Sequence, residues 1–368
     1  MLNIGVTGAR GLIGHHTRVF LHSLGTETVQ CRPADRSTFE SDEALENFVD
    51  GLDAIIHLAG MNRGSDEEIL ELNPGLARRL TAACDARTVR PHIVFSSSTH
   101  IDRDTAYGES KRRTGDHFAT WSRTHGARFA NLVLPHVFGE GGRPDYNSVV
   151  STFCHRLAND GAAEIQSDGD VELFHAQRVA ELAWDVIREG REGTLRPEGT
   201  PMKVSELLRR LTLIKEQYSG HLIPDLSEPI DLDLFNTYRS YLYPSRYPRE
   251  LKLNTDDRGH LFEGVRTLHG GQCFVSTTKP GITRGNHYHR RKFERFLVVS
   301  GEAEICIRPM FSDQVTCFPV TGDKPVYVDM PTLHTHNITN TGDDPLVTLF
   351  WAHELFDPDH PDTFWETV

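Results

Sequence analysis

No stretch of the 368 residues stays apolar for the roughly 20 positions a helical membrane span needs, which excludes an integral helical membrane protein. Excess basic charge is missing too. Lys and Arg number 39 against 52 Asp and Glu, a formal net charge of −13, so nucleic acid and acidic membranes are excluded as partners. An anionic ligand must be held by local donors. Cysteine is scarce, with six residues at 31, 84, 154, 273, 306 and 317 and no Cys-x-x-Cys pair; this spacing predicts reduced, partly buried thiols in a cytoplasmic protein. The opening Met1-Leu2-Asn3-Ile4-Gly5-Val6 reads as a strand and lacks the regions of a secretory signal. Internal repeats and low-complexity segments are absent. What remains is a soluble globular chain, 38% hydrophobic and long enough for two domains.

The first half alternates strand and helix patterns. Leu2 to Thr7 is a short apolar run ending in Thr7-Gly8-Ala9-Arg10-Gly11-Leu12-Ile13-Gly14, and a helical pattern follows to about Leu24. Gly8 and Gly11 let the backbone turn tightly and approach a pyrophosphate, while Gly14 permits close helix packing. A second strand, Glu27 to Cys31, leads into Arg32, where a guanidinium can pair with a 2′-phosphate; Arg10 could assist. Asp35 is the acidic alternative if that strand runs longer. Two more apolar strands end in His57-Leu58-Ala59-Gly60 and Ser96-Ser97-Ser98, and ligands bind at such C-terminal ends. Tyr107 and Lys111, four apart, share a helix face, so the ammonium can lower the phenol pKa and make Tyr107 a proton donor. Ser98 would hydrogen-bond the reacting oxygen, with Ser97 and Thr99 as alternatives.

These motifs, in this order and together with Asn73, resemble the extended short-chain dehydrogenase/reductase family over about residues 1 to 240. The resemblance implies a Ser-Tyr-Lys site acting on a nucleotide-activated sugar, with Gly8, Arg10, Gly11, Gly14, Arg32 and Ala59 around NADPH. Two departures stand out: His136 replaces the family's Asn in Val133-Leu134-Pro135-His136, and Phe174-His175-Ala176-Gln177-Arg178 replaces its Tyr-Val-Asp-Asp.

From about Glu216 to Leu251, Pro224, Pro229, Pro244 and Pro248 together with Tyr238, Tyr241, Tyr243 and Tyr247 suggest an ordered connector; short alternating strands follow, as a small barrel requires. Within them Gly281, five residues, His287-Tyr288-His289, four residues, Glu294, six residues and Gly301 match the first metal motif of the cupin barrel. Residues two apart on a strand point the same way, so His287 and His289 can both enter the interior, and Glu294 joins them only if the chain turns between. A return strand supplies His336, completing three imidazoles and a carboxylate, a set suited to Zn, Fe(II), Mn or Ni. Leu333 stands where the family has Gly, and His334 is a competing imidazole.

Asp256-Asp257-Arg258-Gly259-His260-Leu261-Phe262-Glu263 resembles the opening of cupins that epimerise 4-keto nucleotide sugars. With the ending Leu355 to Phe364, the whole chain resembles the two-domain capsular-polysaccharide enzymes of the CapF type. That resemblance implies an α/β doubly wound parallel sheet (Rossmann, extended SDR) followed by an all-β cupin barrel, divided as 1–243 and 244–368. It implies a Zn-dependent C3 epimerisation and an NADPH-dependent C4 reduction of a UDP-activated 4-keto-6-deoxy-N-acetyl sugar, by a cytoplasmic homodimer with Asn147 near the sugar nucleotide. Two rivals remain open: a single-activity reductase with a structural cupin, and a non-catalytic nucleotide-sugar sensor.

Overall fold

The structure, a computed structural model, describes residues 1–257 and 259–368; Arg258 of the Asp-x-Arg-Gly phrase lies outside them. Two compact units are present, Met1–Phe138 with Asp170–Met202, and Gly139–Gly169 with Lys203–Val368. The chain begins β1 (Leu2–Thr7), α1 (Leu12–Ser23), β2 (Val29–Ala34), α2 (Asp42–Val49), β3 (Ala54–His57), α3 (Asp66–Ala86), β4 (His92–Ser98), α4 (Ala106–His125), β5 (Phe129–Leu134) and β6 (His136–Phe138). It then gives α5 (Val149–Ala158) to the second unit and returns as β7 (Asp170–His175), α6 (Ala176–Glu189), β8 (Gly193–Leu195) and β9 (Thr200–Lys203).

In the first unit six strands run parallel in the order β2-β1-β3-β4-β5-β8. Alternation along each strand divides the core into two layers. Ile4, Val6, Ile56 and Val94 pack with Phe20 of α1 and Ala183 of α6, while Ile55, Ile93 and Phe95 pack with Leu80 of α3 and Phe118 of α4. Each of the Ile, Val, Leu and Phe side chains contributes about 1.5–3 kcal/mol by leaving water. The doubly wound sheet is the one expected, and it brings the ends of β1, β3 and β4 side by side.

The second unit adds α7 (Val204–Ser219), β10 (Leu222–Ile223), α8 (Pro229–Ser240), β11 (Arg249–Glu250), β12 (Asn254–Asp256), β13 (Gly259–Leu261), β14 (Arg266–Thr267), β15 (Gln272–Thr278), β16 (Thr283–Tyr288), β17 (Glu294–Ser300), β18 (Glu302–Pro309), β19 (Thr316–Thr321), β20 (Val326–Met330), β21 (His334–Asn340), β22 (Leu346–Ala352) and β23 (Phe364–Trp365). Two antiparallel sheets, β11-β20-β17-β22-β15 and β19-β18-β21-β16-β23, make the β-region. The connector is more structured than a tether. It holds α8 and β11, and its Tyr247 hydroxyl meets that of Tyr218 at 2.8 Å, beside the buried ion pair Arg295–Asp329.

One expectation is corrected. Cys306 and Cys317 are disulfide-bonded, because the β18–β19 hairpin register sets them directly opposite, a pairing that their spacing of 11 residues conceals. Cys31, Cys84, Cys154 and Cys273 are free thiols. No helix among the described residues is long and apolar enough to cross a membrane.

Candidate functional site

At the end of β1 the backbone turns through Gly8 at φ +66°. A Cβ there would lie 2.8 Å from Ala59 N, and one on Gly14 would lie 2.2 Å from Gly8 O, so both positions are closed to side chains. Thr7 Oγ1 accepts from Leu58 N (3.1 Å) and Ala59 N (3.2 Å), which leaves its proton for His57 Nδ1 at 3.0 Å. This buried hydroxyl, which the sequence reading passed over, ties the glycine turn to the end of β3. Gly11 caps α1 without a side-chain acceptor, so the first helical amides face outward with their partial positive charge. A pyrophosphate fits such a cradle.

Arg32 is placed elsewhere than expected. Its Nη1 donates to Phe48 O (2.8 Å), Asp50 O (2.7 Å) and Asn47 O (3.3 Å), closing the C-terminal end of α2. β2 runs on to Ala34, which pairs with Thr7, so Asp35 occupies the strand end and forms an ion pair with Arg10 at 2.7 Å.

Tyr107 and Lys111 lie on the first turns of α4, which Thr105 caps through Gly108 N. A Cβ on Gly108 would fall 2.2 Å from His100 O, so glycine lets the helix start press against the 3-10 turn Thr99–Asp102. Lys111 Nζ donates to Ser96 O at 2.8 Å and lies 5.7 Å from the Tyr107 ring centre; burial lowers its pKa to about 8. Asn73 holds both Met61 backbone groups and donates to Ser110 Oγ at 2.9 Å, fixing the loop after β3 to α4. Ser98 is at the end of β4, where its Oγ accepts from His100 N at 3.3 Å; the hydroxyl of Ser97 is buried without a partner. His100, which the sequence reading also missed, meets Tyr107 edge-on at 5.6 Å. The departure residue His136 is half-buried nearby, and desolvation together with His100 lowers its pKa to about 4.

In the second unit, His287 and His336 are directly paired across β16–β21, and Glu294 opens β17 in the opposite sheet. The turn needed before Glu294 is there: the chain leaves β16 at Tyr288, bends at Arg290 and Arg291 and re-enters as β17, while a separate bulge between Gly285 and His287, with Asn286 at φ +62°, lies ahead of both histidines. Glu294 Oε2 faces Nε2 of His289 at 3.0 Å, of His287 at 3.7 Å and of His336 at 3.7 Å. All three nitrogens are buried without a hydrogen-bond partner. His289 Nδ1 is 2.6 Å from Asp362 O, and a carbonyl only accepts, so the proton sits on Nδ1 and Nε2 presents a bare lone pair. His336 Nδ1, 3.3 Å from His334 O, is fixed in the same way. Lone pairs aimed at a carboxylate oxygen repel it unless a cation stands between, so the donor set fits a divalent metal. Burial lowers the pKa of His287 and brings that of His336 to about 3, which keeps these imidazoles neutral and able to donate their lone pairs.

His334 stands outside this cluster, its Nδ1 on Thr332 O and its ring 4.9 Å from Tyr243. Leu333 explains the family's glycine: it has φ +62° and is held there by its N–H on His289 O, its carbonyl on Met310 N and a buried side chain. Asn147 is exposed in the segment before α5, in the second unit, and Gln177 is buried at the start of α6.

Comparison with known proteins agrees with this geometry. Residues 4–196 match the NAD dependent epimerase/dehydratase family, and residues 254–364 match the polysaccharide biosynthesis C-terminal domain. The chain is 30% identical over 372 residues to the UDP-2-acetamido-2,6-beta-L-arabino-hexul-4-ose reductase of Pseudomonas aeruginosa, spanning 99% of this chain and 98% of that protein. It is 33% identical to the capsular polysaccharide assembling protein CapF from Staphylococcus aureus, whose crystal structure superposes with a TM-score of 0.61 over 100% of both chains. RMD from Pseudomonas aeruginosa, solved with NADPH, is 18% identical over 67% of this chain and 100% of its own, with a TM-score of 0.58, and shares the fold.

Proposed function

Because the chain belongs to the NAD dependent epimerase/dehydratase family and, along its whole length, to the CapF-like capsular polysaccharide proteins, we propose that it is a bifunctional UDP-sugar enzyme. Its substrate in this reading is a UDP-2-acetamido-2,6-dideoxy-4-hexulose. Residues 244–368 invert C3, and residues 1–243 reduce the C4 ketone.

The 4-keto group acidifies the C3 proton, so a base can take it and return it from the other face. His287, His289, Glu294 and His336 would hold the metal, whose charge, when bound, stabilises the oxygen that becomes negative. The donors come from both sheets; His289, Glu294 and His336 are buried, and His287 is half-buried. In the other half the coenzyme supplies hydride to C4 when bound. Tyr107 delivers the proton to the C4 oxygen, Ser98 orients that oxygen, and Lys111 sits behind Tyr107 with its ammonium anchored on Ser96 O. Gly8, Gly11, Gly14 and Ala59 shape the pyrophosphate cradle. For NADPH, Arg10 takes over from Arg32 as the 2′-phosphate contact, and Asp35 is the acceptor a 2′-hydroxyl would meet. Asn147 is the proposed sugar-nucleotide contact, and a cytoplasmic homodimer is the working form.

The observation that carries the bifunctional reading is the set of three partnerless Nε2 atoms around one Glu294 oxygen, in a chain that also carries Tyr107 and Lys111 on one helix face. Incubating the protein with the 4-keto sugar and NADPH tests it. Loss of the NADPH absorbance with inversion at C3 supports both halves; reduction with retained C3 configuration leaves a single-activity reductase, and no absorbance loss leaves a sensor.

A further inference from the structure

Asp362 lies 68 residues beyond Glu294 in sequence, yet its segment touches the surroundings of three of the four donors. Its carboxylate accepts three successive main-chain amides: Arg290 N at 3.3 Å on Oδ1, and Arg291 N at 2.9 Å and Lys292 N at 2.6 Å on Oδ2. The turn that carries the chain from His289 to Glu294, and so from one sheet to the other, is wrapped around this one side chain. The main-chain carbonyl of the same residue fixes the His289 tautomer at 2.6 Å. Asp362 is buried and holds φ at +41°, a conformation that sends its carboxylate to the turn and its carbonyl to the imidazole.

The flanking residues extend the clasp. Lys292 Nζ donates to Thr363 Oγ1 (2.8 Å) and Pro361 O (3.2 Å), and lies 3.4 Å from Glu294 Oε1. It therefore occupies one carboxylate oxygen and leaves Oε2 for the imidazole cluster. β23 completes the arrangement by pairing Trp365 with His287 and Phe364 with Tyr288.

We propose that Asp362 is the positioning residue of this centre and that the segment Pro361–Trp365 is a clasp without which the four donors do not converge. The proposal rests on reading the cluster as a metal centre. It assigns to Asp362 no contact with metal or substrate: it acts through the turn it wraps and the His289 ring it orients. Outer contacts of this kind typically change metal affinity by about 10- to 100-fold.

The test uses the full-length chain stripped with chelator, with Zn affinity measured against a chromogenic competitor and Co(II) absorption as a report of ligand geometry. The unaltered chain should take up one equivalent. Asp362→Ala should weaken Zn by tenfold or more and reduce the tetrahedral Co(II) bands. Asp362→Asn, which keeps the size but offers a single acceptor oxygen, should weaken it several-fold with a smaller spectral change. Asp357→Ala, in the same terminal segment but exposed, is the control and should bind as the unaltered chain does. Failure of the unaltered chain to bind one equivalent overturns the metal-centre reading itself. Normal binding by that chain, with Asp362→Asn and Asp362→Ala within twofold of it, overturns the role of Asp362 alone, and so does an equal loss in Asp357→Ala. Should Asp362→Ala not fold, Asp362→Asn decides by the same twofold criterion.

Discussion

The guanidinium of Arg239 lies 4.1 Å from the centre of the Phe293 ring, and the residue after Phe293 is Glu294. Arg239 is on α8, 1% exposed, and donates to Met330 O at 3.2 Å and to Asn236 Oδ1 at 2.8 Å. Asn236 donates in turn to Arg291 O at 2.9 Å. The helix within the connector is thus bolted to the turn that leads into Glu294, the carboxylate of the candidate metal site. Arg239→Ala leaves a buried void and partnerless acceptors, and should cost about 2–4 kcal/mol. Urea unfolding of the full chain measures this; a loss below about 0.5 kcal/mol would show that the contact is idle.

Tyr107→Phe should lower NADPH oxidation by about 10² or more, since general acid catalysis contributes on that order. NADPH titration should be near normal in the variant, because the glycine cradle is untouched. Near-normal turnover would remove Tyr107 from its assigned role.

Coenzyme choice should follow the residues at the end of β2. Arg32→Ala should leave the ratio of KM for NADPH and NADH unchanged and lower stability by about 1 kcal/mol, since it loses only helix-end carbonyls. Asp35→Ala should shift preference toward NADPH, and Arg10→Ala away from it. A selective rise in KM for NADPH in Arg32→Ala would return the phosphate to Arg32.

Burial lowers Lys111 from 10.5 to about 8. Between those values the unfolded chain keeps a proton that the native chain has shed, so stability rises with pH across the window, by on the order of 3 kcal/mol if the whole shift is expressed. Lys111→Met should remove that rise along with hydride transfer. Denaturant midpoints of both proteins at pH 7 and pH 9.5 check it, and parallel shifts in the two would contradict it.

Much of both sites could be read from local patterns, because their residues obey strand and helix periods. The two-residue spacing of His287 and His289, the four-residue spacing of Tyr107 and Lys111, and the glycines at 8, 11 and 14 each express a local geometry. What escaped reading depends on register or on distance along the chain. The cofactor assignment turned on whether β2 stopped at Cys31 or ran to Ala34. Cys306 and Cys317 meet only through hairpin register, and Thr7 acts on a loop some 50 residues away. Segments 139–169 and 203–243 share a compact unit with the barrel strands, through packing that no local composition announces.

The central claim is that one chain carries two separable chemistries, and solvent deuterium at C3 of the keto sugar tests it most directly. In D₂O without NADPH, the unaltered protein and Tyr107→Phe should both place deuterium at C3, while His287→Ala should not, because it removes one of the four donors. Deuterium in His287→Ala at the unaltered rate, or none in Tyr107→Phe, would contradict the account.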